Sequence, residues 1–88
     1  MLEIEELRQQ IDDLDAEIIA KIAKRWEVVR QVREFKSLHT LPVFDPKREE
    51  YLREFHAGLC KKYNVSIEFI DKLFELVMQE AKRLQQSA

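Results

Sequence analysis

Apolar residues at Ile4, Leu7, Ile11, Leu14, Ile18, Ile22, Val29 and Val32 recur at spacings of three, four and seven. That period gathers them into one stripe on a helix, and neither glycine nor proline interrupts residues 3–38. The loop "HTLPVF" ends the run through Pro42. Asp45 and Pro46 then form a helix start, because an aspartate side chain caps free amides and proline suits the first helical position. On this second helix, expected over residues 46–62, Leu52, Phe55 and Leu59 repeat the spacing. "KKYNVS" breaks the pattern and offers Ser66 as a cap. A third helix over 66–86 carries Ile70, Leu73, Phe74, Val77, Ala81 and Leu84. The pattern predicts an all-α chain of three helices, a long first and two shorter ones.

Composition supports that class. One glycine and two prolines among 88 residues leave too few turns for a sheet. The length suits a single domain spanning residues 1–88, of a size that is marginal alone and gains from oligomerisation. Fifteen Lys and Arg stand against 17 Asp and Glu, interspersed, for a net charge of -2, which argues against nucleic acid as a partner. "MLEIEELRQQ" places acid where a signal peptide needs base, and no apolar run has membrane-spanning length. A soluble cytoplasmic protein with no membrane partner is expected. Cys60, the single cysteine, reads as a packing residue. His56 and Cys60 share a helical face but are too few for a metal site, and His39 reads as an ordinary loop residue, so no metal is expected.

Geometry then speaks to assembly. About 36 helical residues give a rod of roughly 54 Å, whereas a compact chain of this length has a radius of gyration near 12 Å and a diameter of about 31 Å. The first helix outruns its own domain. Its stripe continues along nearly the whole rod, so the overhang needs a cover, and a second copy of the chain is the simplest one. An intertwined, domain-swapped homodimer is expected.

Polar residues interrupt the stripes at a few places. Beyond Ile18 and Ile22, the same face of the first helix continues through Arg25, Val29, Val32 and Lys36. On the third helix Gln85 extends the face of Phe74, Val77 and Ala81, and on the second Arg48 and Glu49 stand at the margin of the stripe of Leu52. Each alone reads as a solvated or snorkelling side chain. Taken together they outline a cationic pocket without a nucleophile and base pair or a metal cluster. Its groups donate to carboxylates and ether or hydroxyl oxygens, and one carboxylate accepts from a hydroxyl. A small, polyanionic, hydroxylated ligand fits that chemistry.

From "LRQQIDDLDAEII" and "KIAKRWEVVRQVREFK" through "LPVFDPKREEYL" to "FIDKLFELVMQEAKRLQ", the chain resembles the all-helical chorismate mutases of the stand-alone bacterial and archaeal type. These enzymes convert chorismate to prephenate in phenylalanine and tyrosine biosynthesis, with no cofactor. The resemblance implies that Arg8 reaches a substrate carboxylate in the partner subunit's site and that Arg25 clamps the other carboxylate. It assigns Lys36 to a carboxylate and the bridging ether oxygen, and Gln85 to the other side of that oxygen. Asp45 and Glu49 match positions at the ring hydroxyl, with Arg48 supporting them, and Val32 and Ala81 line the pocket. Lys36, Gln85 and Arg25 are the expected catalytic residues. Seventeen residues of straight helix separate Arg8 from Arg25, roughly 25 Å, so one small ligand meets both only if they come from two chains.

Three positions depart from the family pattern. Ala81 stands where a serine or another small polar residue often binds the ring carboxylate. Lys82 replaces a small apolar residue, and Trp26 is bulky beside Arg25; both are expected to face solvent or the partner. Two other functions remain open at this point. Isochorismate-pyruvate lyases share the fold and similar cations, but lack the Asp-x-x-Arg-Glu pattern as a hallmark. A noncatalytic helical dimerisation module would leave Arg25, Lys36 and Gln85 unexplained. A larger partner enzyme of the aromatic pathway is also compatible with so small a chain.

Overall fold

The computed structural model describes residues 3–86, and among them lie three α-helices and no strand. These are α1 (Ile4–Leu38), α2 (Pro46–Tyr63) and α3 (Ile67–Gln86). Local chemistry sets the ends. Asp45 Oδ1 accepts from the Arg48 amide at 3.1 Å, and Pro46 follows in the first turn of α2. Asn64 terminates α2 in the left-handed region (φ 55°), which asparagine tolerates, and its amide donates to the Cys60 carbonyl. Ser66 Oγ accepts from the Phe69 amide at 3.2 Å and starts α3.

α3 is the organising element. It packs against both α1 and α2, whereas α1 and α2 make no close backbone approach to one another. Arg33 donates to the Leu84 carbonyl and Lys36 pairs with Gln85, so the C-terminal ends of α1 and α3 lie side by side. α2 runs the opposite way along α3, with Glu49 beside Lys82 and His56 beside Phe74. The space between α1 and α2, floored by α3, becomes the pocket.

Packing within one chain is thin. Among the described residues only Cys60 and Ala81 are buried apolar side chains, and α1 buries none. The chain extends 57 × 26 × 16 Å with a radius of gyration of 16.5 Å, well above the roughly 12 Å of a compact chain this long. Ile11, Leu14, Ile18 and Ile19 are 55–67% exposed, a continuous apolar surface on the N-terminal half of α1.

The inward face of α2 differs from the expected one. Phe55 and Leu59 are exposed, and His56 and Cys60 are buried instead. The His56 ring lies against Phe74, with centroids 4.0 Å apart. An imidazole has an apolar body, and against an aromatic partner it fills the position that the simple Leu/Phe periodicity assigned elsewhere. Cys60 is a buried free thiol, and no metal-binding group of three or more His, Cys, Asp or Glu occurs among the described residues. No described helix is long and apolar enough to cross a membrane.

Candidate active site

A cavity of about 350 Å³ lies between the three helices, within the size range of small-ligand sites. α1 contributes Arg25, Val32 and Lys36, one side of the helix at spacings of seven and four. The start of α2 contributes Asp45, Arg48 and Glu49, and α3 contributes Ala81 and Gln85. All eight were singled out from the sequence. Arg8 stands apart: it lies on the exposed N-terminal half of α1 and pairs there with Glu5 at 3.0 Å.

Lys36 and Gln85 meet directly. Lys36 Nζ donates to Gln85 Oε1 at 2.9 Å and to the Val43 carbonyl at 3.1 Å. An ammonium has no acceptor, so the amide must turn its oxygen toward Lys36, which leaves the Gln85 NH₂ group to donate elsewhere. Two donors from two helices are thereby fixed at one end of the cavity. The third ammonium proton of Lys36 remains for a ligand.

At the other end the cations crowd one another. Burial, and then the charge of Arg48, pull the pKa of Arg25 below its ordinary value. A guanidinium stays charged at neutral pH regardless, so a carboxylate entering between Arg25 and Arg48 relieves a repulsion as well as forming an ion pair. The Arg48 guanidinium lies over the Tyr51 ring at 5.0 Å, which limits where it can swing. His56 sits behind this end. Its pKa is lowered by burial first and by Arg25 next, with Asp71 opposing and Arg48 adding to the effect, so the ring is neutral at neutral pH.

Asp45 has two tasks in one carboxylate. Oδ1 caps α2 through the Arg48 amide while the residue also lines the cavity. Glu49, its side chain 19% exposed, pairs with Lys82 at 2.7 Å. Lys82, expected to face solvent or the partner, also lines the cavity, with its side chain 39% exposed. The missed signal was the spacing of Met78, Ala81, Lys82 and Gln85, which is one helical face. Val43, Leu52 and Met78 also line the cavity and were missed, because apolar wall residues carry no chemical signature. Trp26 is half-buried and is not part of this wall.

The sequence matches the family described as chorismate mutase type II over residues 7–86. The chain belongs to the chorismate mutase type II family. It is 35% identical over 80 residues to the chorismate mutase of Methanocaldococcus jannaschii, an overlap covering 91% of this chain and 81% of that one. The T-protein of Haemophilus influenzae is 35% identical over 78 residues, 89% of this chain and 21% of that one. The bifunctional chorismate mutase/prephenate dehydratase of Escherichia coli (strain K12) is 33% identical over 81 residues, 92% of this chain and 21% of that one. The chain thus spans about a fifth of these two longer relatives. Family membership agrees with the three-helix, strand-free architecture.

Proposed function

We propose that the protein is a chorismate mutase, an isomerase that rearranges chorismate to prephenate as a single domain spanning residues 1–88 of a cytoplasmic homodimer. One observation carries the reading: in a chain of this family, Arg25, Lys36, Glu49 and Gln85 converge on one small cavity. In the reaction one C–O bond breaks as one C–C bond forms in a cyclic shift of electron pairs. No proton moves to or from the protein and no covalent intermediate forms. The protein's work is to hold the enolpyruvyl arm over the ring and to stabilise negative charge growing on the ether oxygen.

In this reading Lys36 and the Gln85 amide donate to the ether oxygen from its two sides. Their mutual hydrogen bond supports that assignment, because it fixes both donors before the substrate arrives. Arg25 clamps one carboxylate of the dianion, and Arg48 supports that end. Asp45 and Glu49 accept from the ring hydroxyl, while Val32 and Ala81 line the apolar wall. A millionfold acceleration needs only about 8 kcal/mol, and one preorganised donor to such an oxygen commonly accounts for about 3–4 kcal/mol of it. Two donors and a conformational clamp are of the right order.

The second carboxylate falls to Arg8 of the partner copy. Two observations support this. Arg8 is solvent-exposed and lies roughly 25 Å along the helix from Arg25, and the apolar stripe around it has no partner within its own chain. A second copy laid along that stripe covers it and brings another Arg8 to the site. Two relatives named as bifunctional join chorismate mutase to prephenate dehydratase, so a separate partner enzyme acting on prephenate belongs to the same reading.

Neither alternative gains support from the family match: the Asp-x-x-Arg-Glu pattern is not a hallmark of isochorismate-pyruvate lyases, and a noncatalytic dimerisation module leaves Arg25, Lys36 and Gln85 in one cavity without a reason. Incubation of the pure protein with chorismate and with isochorismate, followed by product identification, decides among the three. Prephenate from chorismate is expected. Pyruvate with salicylate from isochorismate would establish the lyase, and no product from either would favour the binding module.

A further inference from the structure

Lys82 ties three segments together at the mouth of the cavity. Its ammonium pairs with Glu49 Oε1 at 2.7 Å and lies 5.0 Å from the centroid of the Phe44 ring. Phe44 belongs to the loop before α2, Glu49 to the first turn of α2, and Lys82 to α3. Glu49 and Lys82 also line a second cavity, on the side of His56 and Asp71, so their ion pair forms part of the wall between the two spaces.

An unpaired glutamate at this position would have three torsions to turn and an open groove on its far side. The ion pair removes that freedom by engaging one carboxylate oxygen. The second oxygen keeps its lone pairs for a hydroxyl donor. Phe44 holds the ammonium from the other side through the face of its ring. The clasp therefore fixes an acceptor at one point of the cavity wall.

We propose that Lys82 is a positioning residue that sets substrate specificity: through the clasp on Glu49 it makes the site discriminate in favour of a ring bearing a hydroxyl group. The inference rests on the reading of Glu49 as hydroxyl acceptor. It is distinct from general attraction for a dianion. Among the charged residues of the cavity, the four cations Arg25, Lys36, Arg48 and Lys82 face the two carboxylates Asp45 and Glu49, an excess of two positive charges. Loss of one charge from that excess weakens any ligand with two carboxylates, hydroxylated or not. Loss of the clasp weakens only the hydroxylated one.

The test uses two substrates, chorismate and its analogue with the ring hydroxyl replaced by hydrogen, which keeps both carboxylates and the rearranging bonds. Lys82→Met retains the stem over Phe44 and deletes the charge; Lys82→Arg retains the charge. Lys82→Met is expected to lower kcat/KM about tenfold more for chorismate than for the analogue, mainly through KM, the analogue bearing only the smaller loss that follows from one charge fewer. Lys82→Arg should recover most of the loss, and adding Glu49→Gln to Lys82→Met should cost little more. Equal losses on both substrates, or no loss on either, would overturn the proposal while leaving the functional reading intact. Equal losses count only for a variant that circular dichroism shows to be folded; if Lys82→Met misfolds, Lys82→Arg decides by its own ratio between the substrates, a preference for chorismate kept near wild type supporting the clasp and a lost preference overturning it. A wild-type chain inactive on chorismate would bring down the functional reading, and this inference with it.

Discussion

The two halves of α1 share one helix and one apolar period, yet they differ in what surrounds them. From Arg25 to Lys36 the stripe lies against α3 and turns its polar interruptions into the cavity. From Ile4 to Ile19 the same stripe meets nothing in its own chain, and Leu14 and Ile18 are more than half exposed. Periodicity states that a face is to be buried; it does not state by which chain. In the proposed reading the polar residues on the covered half serve a ligand in the adjoining cavity. Arg8 on the bare half pairs with Glu5, and only the proposed partner copy would give it a role in a site.

If the halves divide chemistry from assembly, substitutions should separate the two. The largest effect is expected at the covered half. Lys36→Ala removes a donor worth about 3–4 kcal/mol to the transition state, so kcat should fall by a factor of several hundred while the dimer persists. Retention of more than about a tenth of kcat would take Lys36 out of that role. At the bare half, Leu14→Asp exchanges an apolar contact of about 1.5–3 kcal/mol for a buried carboxylate. Light scattering should then show dissociation, with activity lost alongside because no partner Arg8 reaches the site. A folded, fully active monomer would break the comparison.

A smaller effect concerns His56, behind the covered half. Its folded pKa lies below the unfolded value of 6.5, so the unfolded chain binds the proton more readily. Stability is therefore full above that value, declines as pH falls below it, and levels off once the folded pKa is passed. Thermal melts at pH about 7.5 and about 5 should show a drop in Tm for wild type that is smaller for His56→Phe. Equal drops would remove His56 as a cause. The smallest effect is expected at Ala81, where Ala81→Ser adds a hydroxyl to the apolar wall and should lower KM for chorismate a fewfold; an unchanged or higher KM would show the pocket to be completed in another way.

Much of this division is legible in the residues themselves. The helices follow from an uninterrupted apolar period with Asp45, Pro46 and Ser66 as starts, and these local devices act over a few residues, where sequence speaks directly. Arg25, Lys36 and Gln85 stand out because charge or amide breaks an apolar face, and Glu49 because it stands at the margin of one. Less legible were features that depend on which elements pack together. Phe55 and Leu59 are exposed within one chain while His56, against Phe74, and Cys60 are buried, an inward pair that apolar periodicity alone does not name. Lys82 carries the same charge as any surface lysine, and only the nearness of Glu49 and Phe44 gives it a place in the wall.

The central claim, that each site is built by the bare half of one α1 and the covered half of another, meets its most direct test in a mixture of two inactive chains. Arg8→Ala and Arg25→Ala protomers, unfolded together and refolded in equal amounts, should form heterodimers with one intact site each, and activity should return to about a quarter of the wild-type value for the same total protein. A mixture no more active than either variant alone would contradict the shared site.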